Sequence, residues 1–146
     1  MNPEFNELLS ALYVAEARFL VVGAYALALH GHPRSTGDLD IWVEPTPENA
    51  ARVMQALRRF GAPLGKVREA DFSRPGIVFQ VGVRPLRIDL LTDLTGLTFE
   101  EAWPDRMIHR FGPFEAPFLG KESFIKNKRA TGRPQDLVDA EQLEKG

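Results

Sequence analysis

Two aspartates stand two positions apart in Gly37-Asp38-Leu39-Asp40-Ile41, at the start of a run that alternates polar and apolar before turning wholly apolar at Trp42-Val43. That pattern predicts a strand, and in a strand residues i and i+2 share one face. Asp38 and Asp40 would then sit side by side, about 7 Å apart. Carboxylates so placed repel each other unless something positive lies between them. Mg²⁺ does this with one or two protein carboxylates plus substrate phosphates. Two solvated acids opening a strand would give the same local sequence, so the surroundings must decide.

A third acid, Asp89, lies within the apolar run Ile88-Asp89-Leu90-Leu91. An acid flanked in this way needs a partner or a chemical task, unless it points to solvent from an edge strand. Upstream, Leu20-Val21-Val22-Gly23-Ala24 reads as a strand, a glycine turn and a helix start. Such a turn offers free N–H groups and the positive end of a dipole, both suited to phosphate. Residues 121–133 hold Lys121, Lys126, Lys128, Arg129 and Arg133 against Glu122 alone, whereas residues 134–146 hold four acids against Lys145. The basic stretch is either a phosphate site or a solvated face.

The elements that would position these groups alternate between two periods. Phe5, Leu8, Leu9, Leu12 and Ala15 recur at helical spacing over residues 4–17. Residues 18–22 form a short apolar strand, and 24–30 a short helix stopped by Gly31. Strand 38–43 leads to Thr46-Pro47-Glu48, a hydroxyl cap, a first-position proline and a first-turn acid. The helix so begun runs to Phe60-Gly61. Residues 61–75 look irregular, and 77–83 with 86–91 read as a β-hairpin around Arg84-Pro85. In its second arm Arg87, Asp89 and Leu91 share one face. A short helix over 98–103 would close at Pro104, a strand is expected around Met107-Ile108-His109, and helices at 121–130 and 135–144 flank Gly132-Arg133-Pro134. The expectation is a mixed α/β (α+β) domain of four or five strands and about five helices. The hairpin argues against an all-parallel sheet.

The chain has 146 residues, 44% hydrophobic and 26% charged, which suits one globular domain and excludes a disordered chain, a collagen or a coiled coil. It has no cysteine, which excludes disulfides, Cys–zinc sites, iron–sulfur clusters and a thiol nucleophile. The formal net charge of −2 is the wrong balance for a wholesale nucleic-acid or membrane-surface binder. No apolar run is long enough to cross a membrane. The opening Met-Asn-Pro-Glu-Phe-Asn-Glu has neither a basic nor an apolar leader segment, so a cytoplasmic protein is expected.

The ordered set Val22-Gly23-Ala24, Asp38-Leu39-Asp40-Ile41 and Ile88-Asp89-Leu90 resembles the nucleotidyltransferase superfamily of DNA polymerase β-like fold. More narrowly, His30-Gly31-His32-Pro33-Arg34-Ser35-Thr36-Gly37-Asp38-Leu39-Asp40 and Lys128-Arg129-Ala130-Thr131-Gly132-Arg133-Pro134-Gln135-Asp136-Leu137-Val138-Asp139 resemble small bacterial nucleotidyltransferase-like domains of the AbiEii toxin type. The resemblance implies one minimal domain over 1–146, with a core at about 19–95 and a helical segment at about 120–146. The implied reaction moves a nucleoside monophosphate from an NTP to a hydroxyl and releases pyrophosphate. Asp38 and Asp40 would hold two Mg²⁺ (or Mn²⁺) ions. Asp89 would share the catalytic one and help deprotonate the acceptor. Gly23 and Ala24 would offer backbone donors to phosphate, and Arg34, Thr36 and Lys128 would complete the nucleotide site. Arg133 and Asp136 would form a structural ion pair.

The implied acceptor is RNA, such as a tRNA 3′ end, or a protein hydroxyl, in a toxin–antitoxin or phage-defence setting with a cognate partner protein. Ala24 departs from the pattern: many active relatives have Ser or Gly there, and a serine hydroxyl would bond a phosphate oxygen. This motivates a second reading, a catalytically impaired homologue that binds nucleotide or a partner. A plain interaction domain with surface acids is the third. The other tempting residues point to structure. His30 and His32 lack a third zinc ligand, His109 lacks a partner, and Ser35 and Ser123 lack a triad. Trp42, Phe79 and Trp103 suit core or rim rather than a base-stacking platform.

Overall fold

The computed structural model describes residues 2–32, 37–82 and 86–145. Among the described residues, six strands form a single mixed sheet, and six α-helices and two 3₁₀ turns surround it. Helix α1 (Pro3–Val14) starts at Asn2, whose side chain accepts the Glu4 N–H at 2.8 Å. Strand β1 (Phe19–Val22) is buried throughout and passes directly into α2 (Gly23–Leu29). Strand β2 (Asp38–Val43) returns antiparallel to β1, with Val22 opposite Asp40 and Phe19 opposite Val43.

Helix α3 (Pro47–Phe60) has the start that the sequence predicts. Thr46 Oγ1 accepts the Asn49 N–H, Pro47 opens the first turn, and Gly61 ends the helix at φ +89°. A 3₁₀ turn at Glu69–Ser73 occupies part of the segment expected to be irregular. Strands β3 (Val78–Val81) and β4 (Arg87–Leu91) form the expected antiparallel hairpin. Its turn at Arg84-Pro85 lies outside the described residues. Strand β4 adds parallel to β2, which places Asp38 beside Arg87 and Asp40 beside Asp89.

Helix α4 (Phe99–Ala102) is capped by a reciprocal Thr98–Glu101 pair. It ends before Pro104, which lies within a second 3₁₀ turn at Trp103–Asp105. The next region holds two strands where one was expected: β5 (Met107–Phe111) and β6 (Phe114–Phe118). The count of six strands therefore exceeds the expected four or five. Gly112, at φ +57°, turns the chain between them. Pro117, a residue that normally argues against an inner strand, sits just ahead of a short parallel contact with β1. There Phe118 pairs with Val21, and Leu119 donates its N–H to the Val21 carbonyl at 2.9 Å. The sheet order is β3-β4-β2-β1-β6-β5.

Helices α5 (Lys121–Thr131) and α6 (Pro134–Lys145) pack as a hairpin through Gly132, at φ +69°. Leu39, Ile41 and Val43 point to one face of the sheet and are fully buried. Asp38, Asp40 and Trp42 point to the other. Trp42 is covered there by Phe99, edge to face at 5.2 Å. Among the described residues, no helix is long and apolar enough to cross a membrane.

Candidate active site

The three acids singled out in the sequence meet because of strand register. Asp38 and Asp40 share one face of β2, and the parallel pairing sets Asp89 directly beside Asp40. Asp89 is only 8% exposed. A lone buried carboxylate is costly, and three together are more so. Arg87, two residues before Asp89 on the same strand face, supplies part of the compensation. Its terminal Nη2 lies 3.3 Å from Asp38 Oδ2 and its Nε lies 3.1 Å from Asp89 Oδ1. One guanidinium thus spans two carboxylates of the cluster.

Asp40 carries the imbalance. Burial, reinforced by the neighbouring charges of Asp89 and Asp38, pushes its carboxyl from 3.8 up to about 6, although Arg87 and Lys128 pull the other way. A carboxyl raised by burial and by neighbouring acids is the kind of group that cation-binding and acid–base centres use.

Gly23 closes the site from the β1 side. It sits at φ +69°, and a Cβ built there would come within 2.3 Å of Asp40 Oδ2. Both facts call for glycine: the backbone conformation disfavours a side chain, and the carboxylate occupies its space. Ala24 follows in the first turn of α2 and brings no hydroxyl to the site.

Lys128 approaches from α5. Its charge favours the Asp40 anion, and its Nζ lies 5.1 Å from the centre of the Phe124 ring and 3.2 Å from Asp136 Oδ1. Asp136 is a hub. Its Oδ2 accepts from Thr131 Oγ1 at 2.6 Å and Arg133 Nε at 2.7 Å, so the ion pair expected from the sequence is present. Burial works against its charge, but the donors from Thr131, Arg133 and Lys128 prevail and hold the carboxyl at about 2.

Arg34 and Thr36 lie outside the described residues. Sequence reasoning placed Arg87 on the face of Asp89 but gave it no part in the site. The signal was available, as a cation two residues from an acid on one strand. The bridge to Asp38 needs the β2–β4 register as well. His30 is structural, its Nε2 within 2.9 Å of the Leu119 carbonyl. Trp103 lies under two guanidiniums, Arg18 at 5.0 Å and Arg106 at 4.0 Å, as a rim residue would.

Hard oxygen donors clustered around a raised carboxyl fit a divalent cation by chemistry. As the side chains stand, however, no three His, Asp or Glu among the described residues form a ready metal cage. The Arg87 guanidinium engages two of the three carboxylates.

No protein-family model matches the chain, and no curated protein does so either. Among solved structures, the chain is similar to the Thermotoga maritima protein TM1012, a presumed nucleotidyltransferase. The match has a TM-score of 0.59 and 17% identity, and it covers 99% of this chain and 93% of that one. At that identity the likeness establishes the fold: a mixed α/β, nucleotidyltransferase-like architecture over nearly the whole chain.

Proposed function

We propose that this chain is a metal-dependent nucleotidyltransferase that moves a nucleoside monophosphate from an NTP to a hydroxyl. The observation that carries the reading is the in-register cluster of Asp38, Asp40 and Asp89, with the Asp40 carboxyl raised to about 6. Asp38 and Asp40 would hold Mg²⁺ or Mn²⁺, with Asp89 as a further ligand. The bound ion would supply Lewis-acid stabilisation of the reacting phosphate oxygens.

The chain's own groups have distinct tasks in this reading. Gly23 lets the backbone come close to the carboxylates, so phosphate can approach the first turn of α2 beside Ala24. Lys128, fixed by Asp136, keeps a positive charge directed at the cluster and stabilises charge that builds on the phosphate. Arg34 and Thr36 are assigned to the nucleotide on their motif alone. Asp89, the most buried acid of the three, would accept the acceptor proton. The acceptor is RNA, with a tRNA 3′ end as one candidate, or a protein hydroxyl. A toxin–antitoxin or phage-defence module with a cognate partner is the setting the motifs favour.

The test is transfer of label from each α-³²P-NTP, with Mg²⁺ and a cell extract, into RNA or protein. Label that disappears with Asp38→Ala or Asp40→Ala supports the reading. Label that persists in purified Asp40→Ala overturns the site. A second reading, an impaired homologue that binds nucleotide without turnover, is favoured by two observations. Ala24 lacks a hydroxyl, and Arg87 already engages two of the acids. Metal-dependent NTP binding with no label in any pool would select it.

A further inference from the structure

We infer that Arg87 is the built-in counter-ion of the carboxylate cluster, and that its guanidinium competes with a divalent cation for Asp38 and Asp89. The inference rests on the metal-binding reading above and goes beyond it, by assigning a role to a residue outside the acid motifs.

Geometry carries it. Arg87 lies opposite Asp38 in the β2–β4 ladder and two residues from Asp89 on the same face, so its side chain rises between them. It meets both at 3.3 and 3.1 Å, with its side chain 23% exposed. Each acid thereby commits an oxygen that a metal would need. A guanidinium cannot be neutralised by deprotonation in a protein, so while the acids stay ionised the contact is relieved only by moving the side chain. Lys128 is no substitute, because Asp136 anchors it. In the metal-free protein Arg87 therefore balances two of the three acids, and a cation entering the cluster must displace it.

The experiment titrates Mn²⁺ into the full chain at fixed pH, following the free-ion paramagnetic resonance signal. The proteins are the wild type, Arg87→Gln and Arg87→Lys, and their melting is followed with and without Mn²⁺. Arg87→Gln is expected to bind Mn²⁺ about tenfold more tightly, the size that two partly buried ion pairs can withhold. It should melt lower than wild type without Mn²⁺, and the gap should narrow at saturation.

Arg87→Lys separates occupancy from mere charge. It keeps the charge but loses the planar fork that spans both acids, so its affinity should move towards that of Arg87→Gln. Unchanged affinity in Arg87→Gln, or an Arg87→Lys protein indistinguishable from wild type, overturns the inference and leaves the metal site standing. Failure of every protein, wild type included, to bind Mn²⁺ overturns both.

Discussion

Two acids in this molecule, buried Asp136 and part-buried Asp40, have opposite fates. Asp136 is one carboxylate with three donors, Thr131, Lys128 and Arg133, and its carboxyl falls to about 2. Asp40 is one of three carboxylates near Arg87 and Lys128, and its carboxyl rises to about 6. Burial alone raises both. The supply of donors decides the sign. Asp136 joins α5 to α6 through its donors, whereas Asp40, shielded from water and next to two other acids, has few donors to offset its charge. On the proposed reading, the difference separates a structural acid from a functional one without appeal to position in the sequence.

The largest expected effect falls on the functional side. Asp40→Asn should lower transfer by about 10³-fold or more, as loss of a group aimed at developing charge does. It should leave the metal-free fold at least as stable as wild type. Retained label transfer, or a large fall in melting temperature, would erase the contrast with Asp136.

Asp136→Ala is the reverse case. It removes the anion from three donors, two of them cationic, and should cost about 3 kcal/mol in urea unfolding. A cost within about 0.5 kcal/mol, the range of ordinary surface changes, would reduce the hub to a surface contact.

Acid titration sharpens the comparison, because the two groups act in opposite directions. The folded Asp40 carboxyl holds its proton more tightly than the unfolded one. Metal-free stability from this group is therefore full below about pH 4 and falls as pH rises towards 6. A rise from 3.8 to about 6 corresponds to about 3 kcal/mol. Asp136 has a lowered value, so its contribution is complete above about pH 4 and disappears as pH falls through 2. Melting curves against pH should lose the first slope in Asp40→Asn and the second in Asp136→Ala.

The smallest effect belongs to Gly23→Ala. A methyl group at φ +69° costs about 1–2 kcal/mol, and it must also push Asp40 Oδ2 aside. Mn²⁺ affinity and stability should both fall. A variant with wild-type affinity would show that Asp40 does not depend on the close approach of that backbone.

Local chemistry carried much of this into the sequence. Thr46-Pro47 announces α3, and Gly23 announces the β1–α2 turn. The Asp-x-Asp spacing announces a shared strand face. What stayed hidden depends on partners distant along the chain. Arg87 bridges Asp38 only because β4 lies parallel to β2, a pairing across 49 residues. Asn49 looks like any early helix residue, yet it is 2% exposed. Its side chain bonds the Arg18 N–H and the Arg18 and Glu44 carbonyls, tying the entry of β1 to the exit of β2. Strand β6 was masked by Pro117, which reads as a breaker until its strand's short contact with β1 is known. Arg34 and Thr36 rest on motif alone, as these residues lie outside the described structure.

That short contact also sets an order of events during synthesis. Strands β2 and β4, which carry the acid cluster, and β1 beside them are all available to pair once Leu91 has emerged from the ribosome. The outer edge of β1, with its apolar Phe19-Leu20-Val21-Val22, has no neighbour until Phe118 emerges. Over that interval the nascent chain carries an open, sticky strand edge beside an assembled cluster of acids. Chaperone capture and misassembly should therefore concentrate on nascent chains whose emerged portion ends between residues 91 and 118.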